Sequence, residues 1–148
     1  MDPFNFADAL LAILAQRLAK TLCSKCKEAY EPAENELEVL AAEYVDNTEG
    51  NATLILERWR EHSANNKLIL YKAKGCKYCN HTGYRGRLGL YELMTVTPSI
   101  RRMIQKRALV SEITQGALAN GMNTLKQDGI HKVIQGLTDI AQVRAVCA

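Results

Sequence analysis

Apolar residues recur every three to four positions over most of this chain, a spacing that is typical of helices packed on one side. Residues 5–21 are predicted to form an amphipathic helix that ends where the first cysteine pair begins. Two further helices are predicted at 34–45 and 52–63, separated by a polar loop over 47–51. The inward-facing residues of these helices are Ala7, Leu10, Leu11, Leu14, Leu18, Leu37, Leu40, Ala41, Tyr44, Leu56 and Trp59.

Shorter alternating stretches indicate a small amount of β structure in the middle of the chain. Residues 67–73 alternate between apolar and polar side chains and are rich in residues that favour strands. Glycines at 83, 86 and 89 are typical of turns, so we predict a hairpin over 83–89 that leads into a strand over 90–94.

From Thr97 onward the sequence predicts helices with short connections. Thr97 is a predicted N-cap, and Pro98 follows at the first helical position, where the missing N–H of proline would have had no partner. Connections of two to four residues favour a compact helical bundle. The other predicted boundaries are a start at Ser111, a stop at Asn120-Gly121, a capping box from Thr124 to Gln127, a stop at Gly136 and a cap at Thr138 for a last helix through Val146.

Four of the five cysteines form two short pairs, Cys23-x-x-Cys26 and Cys76-x-x-Cys79. Two such turns supply the four soft ligands that Zn²⁺ prefers in tetrahedral geometry. The 49 residues between the pairs exceed the usual spacing, so this segment must loop out and return to close the site. Because four cysteines leave no open coordination position, the predicted zinc is structural. The predicted fold class is mainly α, with a helical C-terminal subdomain and a small β subdomain held by a tetracysteine zinc knuckle.

Other uses of the cysteine pairs fit the sequence less well. Disulfides suit secreted chains, yet the sequence shows no signal peptide and cysteine is not dense. A thioredoxin-like redox site needs one pair at the start of a helix, whereas both pairs are predicted in loops. Buried free thiols favour apolar neighbours, but lysines flank or fill both pairs. Cys147 has no partner and is expected to be an ordinary core or surface thiol.

The net charge of +3 hides a strong asymmetry along the chain. Residues 28–62 contain ten acidic and two basic side chains, a net charge of −8, so the remaining residues carry +11. No acidic residue occurs in 17–27 or 67–87, where basic residues surround the cysteine pairs. A nucleic-acid-binding surface is one explanation. We favour compensation of the zinc thiolates and of the acidic segment, because the aromatic residues that stack on bases are sparse.

The sequence contains no catalytic constellation, and we predict no catalytic or cofactor-binding residue. It has no G-x-x-x-x-G-K-[ST] phosphate loop, no H-E-x-x-H and no dinucleotide fingerprint. His81 lies two residues after Cys79, but with four cysteines available it is expected beside the site or in solvent. Glu92 is expected to form an ion pair with Arg85 or Arg87.

Three groups of motifs cover most of the chain. The first contains Asp2-Pro3-Phe4-Asn5-Phe6-Ala7-Asp8-Ala9-Leu10, Ala15-Gln16-Arg17-Leu18 and Leu22-Cys23-x-x-Cys26. The second is Gly75-Cys76-x-x-Cys79-x-x-Thr82-Gly83-Tyr84-x-Gly86-Arg87-x-Gly89-x-Tyr91-Glu92-Leu93, and the third is Gly121-Met122-x-Thr124-Leu125-x-Gln127-Asp128-Gly129-Ile130-x-Lys132-Val133. In these motifs and their order the chain resembles the C-terminal part of the type II secretion and type IV pilus assembly ATPases, the GspE/PilB-type family.

The resemblance implies that the chain is part of a longer motor protein. In that family a RecA-like domain with Walker motifs precedes this region, so the chain itself is not expected to be an enzyme, and ATP and Mg²⁺ are expected only in the motor core. By resemblance, residues 1–22 contain the last helix of the motor domain. Residues 23–94 would form the zinc-binding subdomain with the acidic helical insertion 28–62, and residues 95–148 the helical C-terminal subdomain.

The resemblance also implies partners and a location. Neighbouring subunits of a homo-hexamer and an inner-membrane platform protein are the expected partners, with assembly of pilins or pseudopilins as the outcome. The expected location is cytoplasmic, peripheral to the inner membrane. The zinc subdomain implies assembly or secretion rather than retraction, and neither a nucleic acid nor a small-molecule substrate is expected.

Two functional hypotheses follow from the sequence. In the first, the chain is the metal-binding and C-terminal module that supports a motor ring and couples it to the membrane platform. In the second, it is a stand-alone zinc-ribbon module that binds nucleic acid, which only the basic residues favour. On removal of zinc, residues 23–90 are expected to loosen while the helices of 97–146 stay folded.

Overall fold

A long antiparallel pair of strands forms the centre of the fold. In the computed structural model, which describes residues 2–147, strand β1 (Ala12–Leu22) pairs with strand β4 (Tyr84–Thr95) along almost its whole length. A second, shorter antiparallel pair joins β2 (Glu28–Tyr30) to β3 (Leu70–Lys72). The segment between the two cysteine pairs therefore leaves the fold along β2 and returns along β3.

Helices cover one side of this strand pair and fill the segment between β2 and β3. Within residues 2–147 the α-helices are α1 (Pro3–Ala9), α2 (Glu34–Val45), α3 (Ala52–Glu61), α4 (Pro98–Gln105), α5 (Val110–Ala119), α6 (Leu125–Ile134) and α7 (Ile140–Val146). None of them is long and apolar enough to cross a membrane. More of the described chain is helical than is in strands, which agrees with a mainly α composition.

Most of the predicted helix ends are confirmed because their signals are local. The hydroxyl oxygen of Thr97 accepts a hydrogen bond from the backbone N–H of Ile100 at the start of α4. Thr124 and Gln127 form the predicted capping box at the start of α6. Gly136 has a φ of +79°, the left-handed conformation that ends a helix at low cost for glycine.

Two predicted starts in this region are wrong. Helix α5 begins at Val110 rather than Ser111. Its N-cap residue is Leu109, whose backbone N–H donates a hydrogen bond to the carboxylate of Glu112. The last helix is capped by Asp139, whose carboxylate accepts from the N–H of Gln142. Thr138 is instead fully buried and donates its hydroxyl proton to the carbonyl of Lys20, 2.8 Å away. The Thr138 hydroxyl thus joins two distant parts of the chain instead of capping α7.

The predicted helix over 5–21 is wrong for most of its length. Only Pro3–Ala9 is helical, and Ala12–Leu22 is a strand. Leu14 and Leu18, predicted to face inward on a helix, lie on the outer face of the strand pair and are 59% and 51% exposed. The segment is rich in strong helix formers, so the pairing with β4 overrides its local preference.

The predicted hairpin over 83–89 is also wrong. Residues 84–95 form one continuous strand whose partner is β1, more than sixty residues earlier in the chain. Gly86 has a positive φ of +81°, so the glycine allows a local irregularity within the strand rather than a reversal of direction.

Two separate apolar cores hold the helices in place. The larger core lies between the strand pair, the helices of the 28–62 segment and α6 and α7. Its buried residues are Ala19, Leu37, Leu40, Ala41, Leu56, Leu68, Leu70, Leu90, Ile130, Val133 and Val143. The smaller core contains Val96, Ile100 and Ala117 and joins α4 and α5 to the end of β4 and to Leu10.

This division differs from the single helical bundle expected after Thr97. Helices α4 and α5 belong to the smaller core, whereas α6 and α7 pack with the acidic segment in the larger one. Gly129 of α6 allows this packing, because a Cβ there would lie only 2.7 Å from a methyl carbon of Val143. The larger core therefore crosses the subdomain boundary that the sequence suggested between residues 94 and 95, and those boundaries stay a prediction.

Candidate metal centre

The four paired cysteines come together at one end of the long strand pair. Their sulfur atoms all lie within 4.8 Å of one another. The Sγ–Sγ distance is 3.8 Å for Cys23 with Cys76, for Cys26 with Cys79 and for Cys76 with Cys79. A tetrahedron with Zn–S bonds of about 2.3 Å has edges of about 3.8 Å, so the sulfur arrangement fits a tetrathiolate zinc site. All four thiols are free.

Local backbone geometry directs the sulfur atoms toward a common point. Backbone N–H groups donate to two of the sulfurs: that of Gly75 to Cys26 at 3.3 Å, and those of Cys76 and Gly83 to Cys79, each at 3.2 Å. Such donors stabilise thiolate over thiol, because they place partial positive charge beside the sulfur. The backbone N–H of Cys23 also donates to the carbonyl of Gly83, which joins the two turns directly.

The thiols of this cluster differ in how easily they ionise. Burial alone would raise the pKa of Cys79, but the N–H donors of Cys76 and Gly83 and neighbouring thiols lower its pKa to about 6. Burial, with further contributions from the other three thiols, raises the pKa of Cys26 to about 12. Four thiolates at these distances repel one another, and a divalent cation at the centre offsets that repulsion. The donor set thus has the chemistry of a structural zinc site.

Both glycines next to the cysteine turns are required by close packing. Gly75 has a φ of +106°, and a Cβ there would lie 2.8 Å from the carbonyl oxygen of His81. Gly83 has a φ of +84°, and a Cβ there would lie 2.5 Å from the Cβ of Ala73. The sequence signalled these glycines only as turn residues.

A set of hydrogen bonds that the sequence did not reveal joins the metal centre to the turn between α6 and α7. We define this set as the knuckle clasp. It comprises the bonds from Leu22 N–H to the Leu137 carbonyl (2.9 Å), from Lys27 Nζ to the Gly136 carbonyl (2.7 Å), from Thr138 Oγ1 to the Lys20 carbonyl (2.8 Å), and from Tyr84 Oη to the Asp139 carboxylate. Since no local pattern relates these residues, only their proximity in the fold identifies the contact.

Other residues singled out in the sequence lie outside the ligand set. The side chain of His81 is exposed, and its backbone N–H donates to the Cys76 carbonyl. Cys147 packs against the larger core, and burial raises the pKa of its thiol. The ion pair expected between Glu92 and an arginine is absent from the described residues. Glu92 instead accepts a hydrogen bond from the N–H of Leu125, the first residue of α6.

The basic residues near the cysteines compensate the acidic segment only in part. Lys67 pairs with Glu31 and Lys74 with Glu28, both close to the shorter strand pair. Among residues 2–147 no ion pair includes Lys25, Lys77, Arg85 or Arg87, and the bonds that reach the sulfurs come from backbone N–H groups. Charge compensation of the acidic segment therefore explains Lys67 and Lys74, whereas the four cations without an ion pair among the described residues need another explanation.

The four clustered thiols, at one end of a strand pair with surrounding helices, form a candidate site for a structural metal ion. Comparison with known proteins places the module in a family. The sequence profile described as "Type II/IV secretion system protein" matches residues 1–145. The chain belongs to this family of type II/IV secretion system proteins.

The chain is similar over nearly its whole length to one part of several larger proteins. It is 33% identical over 146 residues to the type II secretion system ATPase E of Vibrio cholerae, a match that covers 99% of this chain and 25% of the relative. It is 35% identical over 144 residues to the type IV pilus assembly ATPase PilB of Pseudomonas aeruginosa, covering 97% and 22%. The PilB of Thermus thermophilus is 34% identical over 145 residues, covering 98% and 14%. The chain thus spans a quarter or less of these relatives.

Proposed function

We propose that this chain is the zinc-binding and C-terminal module of a secretion or pilus-assembly ATPase. The proposal rests on the family match over residues 1–145 and on the names of its relatives, which are ATPases of type II secretion and type IV pilus assembly. Zinc bound by Cys23, Cys26, Cys76 and Cys79 would have a structural role. ATP and Mg²⁺ would bind in the motor core of the longer protein, and this chain would supply none of that chemistry.

Exposed leucines on the outer face of the β1–β4 pair support the proposal that this module packs against another part of a longer protein. The outer face of the β1–β4 pair exposes three leucines, Leu14 at 59%, Leu18 at 51% and Leu93 at 52%. Leu14 lies directly opposite Leu93, and Leu18 lies on the same face beyond Gln16, so the three leucines form an exposed apolar strip that Gln16 interrupts. Exposed apolar strips of this kind mark contact surfaces. In the proposed ATPase this strip would pack against the motor domain.

The proposed role is to hold the C-terminal part of the motor in shape and to couple it to its partners. In this proposal residues 1–22 join the motor domain, residues 23–94 form the zinc-binding subdomain with its 28–62 insertion, and residues 95–148 form the helical C-terminal subdomain. The working assembly is a homo-hexamer in the cytoplasm beneath the inner membrane. It engages a membrane platform protein during assembly of pilins or pseudopilins. The family membership favours this function over a stand-alone nucleic-acid-binding module.

The first test is metal content. The chain purified under reducing conditions with zinc supplied is expected to contain one zinc, and Cys147→Ser is expected to contain the same amount. Cys76→Ala is expected to contain well under half an equivalent, because three thiolates hold zinc far more weakly than four. A wild-type chain with much less than half an equivalent of zinc would overturn the metal assignment.

The second test concerns the longer protein. In the ATPase that contains this chain, Cys76→Ala is expected to reduce secretion or pilus assembly, while Cys147→Ser leaves it unchanged. Protein level is measured in parallel, because loss of structural zinc also lowers stability. Normal assembly with a zinc-free Cys76→Ala protein would show that the metal centre has no part in the function.

A further inference from the structure

A group of like charges is held together beside the metal centre. Lys20 of β1 lies directly opposite Arg87 of β4 in the strand register. Like charges at opposite positions of an antiparallel pair destabilise it. Lys20 and Arg87 are both exposed, so their repelling charges lie at a surface that solvent and partners reach.

A tyrosine brings two more cations to the same end of the strand pair. The ammonium of Lys25 lies 3.9 Å from the ring centre of Tyr78, and the guanidinium carbon of Arg85 lies 4.0 Å from it. Arg85 also donates a 2.7 Å hydrogen bond to the carbonyl of Tyr78. Cation–π contacts stabilise this grouping. Because two cations engage the ring, Tyr78 is poorly placed to stack on a nucleic-acid base.

We call the exposed cations of this region the knuckle surface, defined as Lys20, Lys25, Lys77, Arg85 and Arg87. Within the part of the chain that the structure describes, none of the ion pairs includes any of them. Their charge is therefore available to an acidic partner. Such a partner would relieve the repulsion between Lys20 and Arg87.

The same chain has an acidic surface on α2 and α3, and its charge is opposite to that of the knuckle surface. We define it as the acidic face, formed by Glu38, Glu57 and Glu61. Glu57 and Glu61 are one helical turn apart, so they lie on the same side of α3. Glu38 lies one helical turn after Glu34 on α2, and Glu34 pairs with Arg60 of α3, so Glu38 lies on the side of α2 next to α3. Arg60 itself is bonded to Glu34, so the three residues of the acidic face form no ion pair within residues 2–147.

We propose that the knuckle surface of one copy of this chain binds the acidic face of a second copy. The two surfaces carry opposite charge and form no ion pair with each other within one chain. The contact is heterologous, so each copy uses one surface for one neighbour and the other surface for the next. This inference rests on the proposed function, because a ring holds neighbouring copies at high effective concentration. Between isolated chains the same contact is weak and sensitive to salt.

Charge-exchange variants of the isolated chain test this contact. Lys20→Glu with Lys77→Glu and Arg87→Glu changes the charge of the knuckle surface from +5 to −1 without changing the cations that contact Tyr78. Glu57→Lys with Glu61→Lys reverses the acidic face. Arg102→Glu, an exposed position on α4 outside both surfaces, is the matched control. Self-association is followed by sedimentation velocity and by amide NMR shifts, at low salt and at high protein concentration.

Wild type and Arg102→Glu are expected to self-associate weakly at low salt, with NMR shifts confined to the two surfaces. Each charge-reversal variant alone is expected to associate about tenfold more weakly. A mixture of the two charge-reversal variants is expected to regain association between unlike chains, because a knuckle surface of charge −1 then meets an acidic face of charge +1. High salt is expected to abolish every contact, since screening shortens the range of these charges.

Three results would overturn the inference. Wild type that stays monomeric at low salt excludes the contact, and so does a mixture of variants that does not recover. Binding of DNA, RNA or anionic vesicles to the knuckle surface, without any self-association, would assign the surface to another partner. Zinc content is measured in the same samples, because loss of zinc would contradict the proposed function. Retained zinc without self-association contradicts this inference alone.

Discussion

The ammonium of Lys27 donates a 2.7 Å hydrogen bond to the carbonyl oxygen of Gly136, the glycine that follows the C-terminal cap of α6. Lys27 directly follows Cys26, so one residue connects the cysteine cluster to the end of a helix more than one hundred positions away. A positive charge also suits the C-terminus of a helix, where the helix dipole is negative. The Lys27 ammonium lies 4.6 Å from the ring centre of Tyr71 as well. The metal centre and the C-terminal helices are therefore not independent.

Removal of zinc is expected to affect α6 and α7 together with the metal centre. The knuckle clasp joins these parts, and the larger core includes residues from both. On chelation, NMR signals of residues 23–90 and 125–146 are expected to shift or broaden together. Signals of 98–119 are expected to change less, because α4 and α5 belong to the smaller core.

This expectation replaces the sequence-based one, in which all helices of 97–146 keep their structure without zinc. If signals of 125–146 stay unchanged while those of 23–90 are lost, the clasp does not couple the two regions. Lys27→Met offers a second test, since it removes the bond to Gly136 and is expected to cost about 2 kcal/mol of unfolding free energy. Lys72→Met is the control, because Lys72 is exposed and its ammonium contacts only the ring of Tyr30, at 5.9 Å.

Alanine substitutions at two glycines with similar φ angles distinguish the effect of close packing from the effect of backbone strain. Gly83→Ala and Gly86→Ala both place alanine at a positive φ, of +84° and +81°, at a cost of about 1–2 kcal/mol each. Gly83→Ala also forces its Cβ to within 2.5 Å of Ala73, whereas nothing lies within 4 Å of a Cβ at Gly86. Gly83→Ala is expected to lower both thermal stability and zinc affinity more than Gly86→Ala. Equal losses of zinc in a chelator competition would show that packing at Gly83 does not support the metal centre.

Acidification is expected to weaken the contact between α2 and α6. His131 Nε2 lies 2.8 Å from the hydroxyl oxygen of Tyr44, and burial lowers the pKa of His131 below 6.5. Asp128 opposes this shift and Lys132 adds to it. Between the lowered pKa and 6.5, the unfolded chain binds a proton that the folded chain does not bind. This contribution to stability is therefore complete above pH 6.5 and is lost as the pH falls below it.

Thermal unfolding at several pH values measures this effect. Trp59 is the only tryptophan in the chain and its ring lies 5.3 Å from that of Tyr44, so its fluorescence reports on the contact. His131→Gln is expected to reduce the loss of stability just below pH 6.5, because glutamine does not titrate there. His62→Gln, at an exposed position, is expected to behave like wild type. An unchanged pH profile in His131→Gln would assign the dependence to other groups.

The isolated chain is expected to show no saturable ATP binding in the micromolar range. A phosphate loop needs consecutive backbone N–H donors and a lysine at fixed spacing, and the glycines at 83, 86 and 89 lack that context. Gly86 and Gly89 lie within β4, and Gly83 donates its N–H to a cysteine sulfur. Calorimetry with ATP and Mg²⁺ makes the measurement. Saturable ATP binding would contradict this prediction and would make the glycine-rich segment 83–89 a candidate phosphate-binding site.

Local signals in the sequence determined the parts of the protein that depend on near neighbours. Helix α2 has the bounds predicted from its apolar spacing, and the caps at Thr97 and Thr124 have the predicted partners. The two C-x-x-C pairs predicted the four thiols that the structure brings together, because each tight turn needs no information from elsewhere in the chain, and their binding of zinc stays a prediction. The motif order also indicated the family, which the match over residues 1–145 confirms.

Only the tertiary structure decided which distant segments pair and pack together. Residues 12–22 have strong helix formers, yet they form a strand because residues 84–95 supply a partner along their length. The same long-range packing places α6 and α7 with the acidic segment and apart from α4 and α5. The bond between Lys27 and Gly136 follows from that packing. Pairing energy depends on residues far apart in sequence, so no local pattern encodes it.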